Sequence, residues 1–299
     1  MAEAERVSKP GSIVECARAK INLTLSVVGR RSDGYHELRS LVVFADIGDT
    51  VTLTLGAPPE VFVTGPFSAD IAGRNLVAET LTRLAQAEPR FQLGAVTIEK
   101  NLPVAAGLGG GSADAAAALR AIKRANPAIS DTFDWMGFAA GLGSDVPVCF
   151  VNQPSLMWGR GEKVLPLAGF PPIAAVLANP RVPVLADKTA QVFRRLSAPP
   201  ISEMSPDPEP PPLFAGAEDV IAYVRAYAND LAEPARDLIP ACRDVETALA
   251  SCSGCQLVRI SGAGPTCFGL FTSDEAAHAA AQHLSRSHPT WWVRSVTLG

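Results

Sequence analysis

Three features of this chain could do chemistry: a glycine-rich run, a lysine at position 20 and an aspartate at position 145. The run at 103–115 reads Pro-Val-Ala-Ala-Gly-Leu-Gly-Gly-Gly-Ser-Ala-Asp-Ala. A strand-like run precedes it at 95–100, with Val96 and Ile98 on one face. An alanine-rich run follows at 113–125, with strong helix propensity and no breaker before Pro127. Strand, glycine loop and helix leave free backbone N–H groups aimed at one spot. The helix dipole adds partial positive charge there, so the spot suits a phosphate. Gly107, Gly109, Gly110 and Gly111 let the backbone close round an anion with no Cβ in the way, and Ser112 is placed to cap the helix or reach a phosphate or metal ion.

Two familiar phosphate loops do not fit. A Walker loop ends in Gly-Lys-Ser/Thr, whereas Gly111 runs directly into Ser112. A dinucleotide-binding loop needs a third glycine where Ser112 stands, and an acidic residue about 20 positions on, where this chain has Asn126-Pro127-Ala128. Lys20 lies in a run, 13–28, in which Ile21, Leu23, Leu25 and Val27 alternate with polar residues. A strand there puts Lys20, Asn22 and Thr24 on one face. On spacing alone an ordinary surface lysine is the better reading of Lys20. Asp145 precedes Pro147 at the start of a predicted helix, so it is a cap or something more.

The elements that must position these residues follow from the pattern. A turn at 29–34 leads through Tyr35 and His36 into a strand at 38–46, then a turn at 46–50. Alternating strands follow, marked by Val51, Leu53 and Leu55 and then by Val61 and Val63. Successive hairpin-linked strands imply an antiparallel sheet and argue against a Rossmann fold, which alternates strand and helix from the start. Helices are predicted at 75–87, with Asn75 as N-cap, and at 131–142, 187–196, 215–228, 240–250 and 273–285. Strands are predicted at 156–167, 173–177, 256–261, 266–271 and 292–296. Residues 199–212 carry seven prolines and read as an exposed spacer of polyproline character.

At 299 residues the expectation is two domains, with a short flexible tail over 1–11. Hydrophobic content of 47% and charge of 19% are globular values, and a net charge of −4 gives no bulk attraction to nucleic acid or anionic membrane. No apolar run approaches 18 residues, and the start lacks a signal-peptide core, so a cytoplasmic protein without a membrane partner is expected. Six cysteines read as reduced thiols. Cys252 and Cys255 have the C-x-x-C spacing but no second pair to complete a zinc site.

The glycine run resembles the central ATP-binding motif of the GHMP kinase family. Ala19-Lys20-Ile21-Asn22-Leu23 and Ile260-Ser261-Gly262-Ala263-Gly264-Pro265-Thr266 match that family in order and spacing, so the resemblance spans about residues 13–297. Residues 31–38, with Asp33-Gly34-Tyr35-His36 at their centre, are similar to one branch, whose acceptor is a methylerythritol carrying a cytidine diphosphate. The resemblance implies an α+β, two-domain fold. The N-terminal ATP-binding and catalytic domain, 12–165, would be like ribosomal protein S5 domain 2, an α+β substrate-side domain would occupy 166–299, and the active site would lie in the cleft between them.

The implied activity is ATP-dependent phosphorylation of the acceptor's 2-hydroxyl, a step of the non-mevalonate route to isoprenoids. Asp145 would be the general base and Lys20 its electrostatic partner, and Mg²⁺ would accompany the ATP. Pro103, Val104, Ala105, Ala106, Gly107, Leu108, Gly109, Gly110, Gly111, Ser112 and Ala113 would grip the triphosphate, with Asn75 and Lys100 near the nucleotide. Asn22, Tyr35, His36 and Phe193 would hold the cytidine side, and the Gly262–Gly264 turn would bring backbone close to the substrate. The metal ligands are left open, and a monomer or weak homodimer is expected. Two alternatives stand beside this one: another small-molecule kinase of the family, of homoserine or mevalonate type, or a non-catalytic nucleotide- or RNA-binding module.

Overall fold

The computed structural model describes residues 11–71, 73, 75–183, 187–201 and 206–299. The tail expected over 1–11, Gly11 apart, lies outside the described residues, as do 202–205 of the proline-rich segment. In chain order the elements are β1 (Ser12–Asn22), β2 (Ser26–Arg30), β3 (His36–Leu55), β4 (Val61–Thr64), α1 (Leu76–Ala87), β5 (Gly94–Glu99), α2 (Gly110–Ala125), α3 (Pro127–Ser130), α4 (Trp135–Leu142) and α5 (Val146–Val151). Then come β6 (Ser155–Gly159), β7 (Lys163–Pro166), β8 (Ile173–Asn179), α6 (Lys188–Leu196), α7 (Ala217–Ala226), α8 (Ala232–Leu238), α9 (Ala241–Ala250), β9 (Cys255–Ile260), β10 (Cys267–Phe271), α10 (Asp274–Ser287) and β11 (Trp292–Leu298).

The sheet is organised around β3. Along one edge β3 pairs with β1 and β2, and along the other with β6 and β5, all antiparallel. Ala45 in the middle of β3 pairs with Leu298 of β11, and Phe44 and Gly299 exchange both backbone hydrogen bonds. That junction joins the first half of the chain to β11, β8, β10 and β9, giving an α+β architecture.

β3 runs straight through the turn expected at 46–50. Asp46, Gly48 and Asp49 are turn-type residues, but each has a strand role. A Cβ on Gly48 would come 2.3 Å from the Ala17 carbonyl oxygen, so the glycine permits close strand approach and not a turn. Asp49 is buried against Lys100. β4 is not hairpin-linked either. It pairs parallel to β5, with α1 as the crossover between them, because Val61 and Val63 find their partners beyond the helix.

α2 packs on β1 and β3 through Ala113, Ala116, Ala117 and Ala121, whose small side chains let the helix lie close to the sheet. Its first turn starts at Gly110, two residues before the Ser112 cap expected from sequence. Gly109 takes the N-cap in a left-handed conformation, which glycine supplies without cost. The helix expected at 131–142 begins four residues late, at Trp135. Asp134 accepts a hydrogen bond from the Gly137 N–H at 2.9 Å and starts α4 there. α8, with Pro234 in its first turn, was not legible from sequence. The proline-rich segment forms no helix or strand where it is described. Ile201 bonds to Arg30, and Asp207 takes hydrogen bonds from Trp158 and Lys163 at 2.8 Å each. Among the described residues no helix is long and apolar enough to cross a membrane.

Candidate active site

The glycine loop, the end of β1 and the turn before β3 meet at one cavity of about 1300 Å³. Lys20 reaches it because β1 carries a bulge between Arg18 and Lys20. Its backbone N–H donates to the Leu108 carbonyl at 2.9 Å, tying the strand to the loop. Its side chain runs under Gly109, where an added Cβ would lie 3.1 Å from the lysine Cβ. The ammonium, on a side chain only 5% exposed, pairs with Asp145 Oδ2 at 2.8 Å. Asp145 stands at the N-cap of α5 but makes no side-chain cap bond, and 34% of its side chain is open to solvent in the cavity. Of the two possibilities left by sequence, capping is therefore not what the carboxylate does. It faces an amine across the cavity wall.

The loop's conformation depends on its glycines in two ways. Gly107, at φ +81°, would place a Cβ 2.5 Å from the Ser261 carbonyl oxygen, because the Ser261–Thr266 turn packs directly on the loop. Ser261 Oγ donates to the Gly107 carbonyl at 3.0 Å, and the Thr266 N–H to that of Ala106 at 3.0 Å. The late glycine turn was expected to let backbone approach the substrate. What it admits at closest range is the loop itself, while Gly262 and Ala263 line the cavity. At Gly111 a Cβ would meet nothing within 4 Å. Gly107→Ala is therefore expected to destabilise the fold by about 2–3 kcal/mol. Gly111→Ala should fold as well as the parent or up to about 1 kcal/mol better, yet raise the ATP KM, since its methyl fills the cradle. Urea midpoints and ATP titrations check both. Ala105 holds φ +53°, a left-handed conformation that costs a non-glycine residue about 1 kcal/mol.

Of the remaining predicted nucleotide residues, Pro103, Val104, Ala105, Ala106, Gly109, Gly110, Ser112, Asn75 and Lys100 line the cavity, whereas Leu108 and Ala113 turn into the core. Asn75 caps α1, accepting from the Val77 N–H at 2.9 Å. Lys100 is held between Asp49 and Asp114, bonding Asp114 Oδ2 at 2.7 Å. Asp49 is satisfied on its other oxygen by the N–H groups of Asn101 and Leu102. Asp114 Oδ1 is buried with no partner, and the residue lines the cavity. Burial pushes the Asp114 carboxyl up, against the pull of Lys100. Neither aspartate was singled out from sequence. Asp49 sat in an apparent turn, and Asp114 looked like an ordinary acid near a helix start.

In the same cavity His36 stacks on Phe193, with ring centroids 4.6 Å apart and planes inclined by 25°. Burial and the nearby Arg30 push the His36 pKa down, which favours the neutral ring. Tyr35, 51% exposed, carries the Arg160 guanidinium 5.0 Å over its ring. Asn22 Nδ2 donates to Ser40 Oγ at 2.8 Å, and a Cβ on Gly262 would sit 3.2 Å from its Oδ1. Lys188, Arg30, Arg160 and Ser144 also line the cavity and were not among the residues predicted from sequence.

A glycine cradle, a facing amine–carboxylate pair and an aromatic seat in one cavity define a small-molecule phosphotransferase, and the comparisons agree. The family described as GHMP kinases matches through its N-terminal domain at residues 75–153 and its C-terminal domain at 218–290. The chain belongs to the GHMP kinase family and is an ATP-dependent small-molecule kinase. It is 46% identical over 292 residues to the 4-diphosphocytidyl-2-C-methyl-D-erythritol kinase of Parvibaculum lavamentivorans, covering 97% of this chain and 99% of that protein. A solved 4-(cytidine 5'-diphospho)-2C-methyl-D-erythritol kinase superposes with a TM-score of 0.73 at 32% identity, covering 96% and 99% of the two chains. Homoserine kinase from Cytophaga hutchinsonii shares the fold at 19% identity and a TM-score of 0.63, covering 99% of this chain and 98% of that one.

Proposed function

We propose that this kinase transfers the γ-phosphoryl group of ATP to the 2-hydroxyl of 4-diphosphocytidyl-2-C-methyl-D-erythritol. The observation that carries the chemistry is the Lys20–Asp145 pair, 2.8 Å apart, in the same cavity as the glycine loop and the His36–Phe193 stack. The cleft is taken to lie between residues 12–165, which bring the loop, Lys20 and Asp145, and residues 166–299, which bring Phe193 and Gly262.

An alcohol is a weak nucleophile, so Asp145 accepts the hydroxyl proton as the oxygen attacks the γ-phosphorus. The new O–P bond forms as the bond to the β,γ-bridging oxygen breaks, and ADP leaves. Lys20 holds Asp145 in place and offers positive charge to the phosphoryl oxygens. The loop N–H groups and the start of α2 orient the triphosphate. Mg²⁺ bound with the ATP would offset the negative charge of the phosphates. No group of three or more His, Cys, Asp or Glu side chains able to hold a metal occurs among the described residues. That fits an ion carried mainly by phosphate and water with one protein carboxylate. The unpartnered Asp114 Oδ1, with Ser112 two residues before it, is the group suited to hold it.

The acceptor's pyrimidine would stack at His36, Phe193 and Tyr35, with Asn22 reading a polar edge. A coupled assay for ADP, offering the cytidine diphosphate acceptor, homoserine and mevalonate in turn with MgATP, tests the assignment. The expected result is turnover with the first alone. Turnover with homoserine or mevalonate and none with the cytidylated acceptor would overturn it.

A further inference from the structure

Lys188, the first residue of α6, is 3% exposed yet lines the same cavity. Its ammonium donates to the Gly264 carbonyl, and no carboxylate among the described residues pairs with it. Leaving a buried charge without a counterion is costly, so such groups are retained where a ligand supplies the opposite charge. Burial pushes its pKa down to about 8, with only the Cys242 thiol nearby to oppose the shift.

The start of α6 is suited to an anion as well. Its N-cap, Asp187, makes no side-chain cap bond. The Asp187 carboxylate turns back to Gln191 at 2.7 Å and Arg194 at 3.2 Å. The first-turn N–H groups of an α-helix have no intrahelical acceptor, and Lys188, Thr189 and Ala190 all border the cavity. Phe193 lies five residues further along the same helix, about 7.5 Å by the rise of 1.5 Å per residue. That is the scale of a nucleoside between its base and its phosphates. One Lys188 donor is spent on Gly264, which leaves two for a ligand.

With the base seated on His36 and Phe193 as proposed above, we infer that Lys188 and the first turn of α6 anchor the acceptor's diphosphate. Lys188 is then a specificity residue. It favours acceptors that carry a diphosphate over polar alcohols such as homoserine. The role is separate from that of Lys20, which stands beside the glycine loop on β1.

Calorimetric titration of the full chain with cytidine and with cytidine diphosphate, the glycine loop blocked by saturating ADP, tests this. Cytidine diphosphate should bind the parent about 10- to 100-fold more tightly than cytidine, the range of a charge-assisted hydrogen-bond set. Lys188→Gln keeps a donor for Gly264 but no charge, and Lys188→Met removes both. Each should cut that advantage to about 3-fold or less while cytidine binds as before, and Lys188→Arg should restore part of it. In turnover the acceptor KM should rise by the same factor with little change in kcat, the mark of binding shared by ground and transition states.

The inference is overturned if the advantage of cytidine diphosphate survives in Lys188→Gln and Lys188→Met. Equal weakening of both ligands also overturns it, since Lys188 then only ties α6 to the Gly262–Gly264 turn. A parent that binds cytidine but gains nothing from the diphosphate removes the anchor and leaves the base seat standing. A parent that binds neither removes the base seat and the anchor together.

Discussion

Asp145→Asn is expected to lower kcat by about 10³-fold, the middle of the range for loss of a general base, while ATP binds at least as well as before. Asparagine keeps the size and shape of the side chain but accepts protons poorly, so the alcohol must attack without handing its proton to a base. The fold should tolerate the change, because Asp145 caps nothing and a third of its side chain already faces the cavity. ATP affinity should not fall, since the Lys20 ammonium, freed of its anionic partner, has more charge to offer the phosphates. Rapid-quench measurement of ADP formation, beside ATP titration by calorimetry, separates the two quantities. Turnover within about 3-fold of the parent would remove Asp145 as the base.

Lys20→Met is expected to lower kcat by about 10²- to 10³-fold, the cost of one preorganised charge at a developing anion. Methionine preserves most of the packing under Gly109, so the loss should report the missing charge and not a collapsed loop. The strand-to-loop tie survives, because it runs through the Lys20 backbone N–H to Leu108. The acceptor KM should change little, since the proposed base seat is built from His36, Tyr35 and Phe193 and not from Lys20. A variant with normal kcat and a raised KM for the acceptor would move Lys20 from the chemistry to substrate binding. Steady-state kinetics with each substrate varied in turn distinguish these cases.

The parts of the site that local sequence dictates were legible. A glycine cradle must be written as consecutive residues, and so must the strand before it and the alanine-rich helix after it. The Asn75 cap and the Pro147 helix start carry local signatures and are where expected. What sequence left open at Lys20 and Asp145 is a matter of tertiary contact. No spacing could say that residues 20 and 145 face one another, or that the Asp145 carboxylate forgoes its capping bond. The errors have the same origin. Asp46, Gly48 and Asp49 are turn residues by type, but β1 and Lys100 hold Gly48 and Asp49 in the strand, and Asp46 accepts from the Thr297 N–H of β11. The parallel pairing of β4 depends on β5, thirty residues away. Lys188 stands at a helix start with no local signal for burial, and tertiary packing, including its contact with the Gly264 carbonyl, buries it.

The double-variant cycle at Lys20 and Asp145 tests the central claim most directly, that one amine and one carboxylate act as a unit in phosphoryl transfer. It needs kcat for Asp145→Asn, Lys20→Met and the two combined, with ATP and the cytidylated acceptor saturating. If the pair is one device, the combined variant should be no more than about 10-fold slower than Asp145→Asn alone, because the second change removes what the first has already disabled. A combined loss equal to the product of the two single losses would mean that the residues act independently, and would contradict the account.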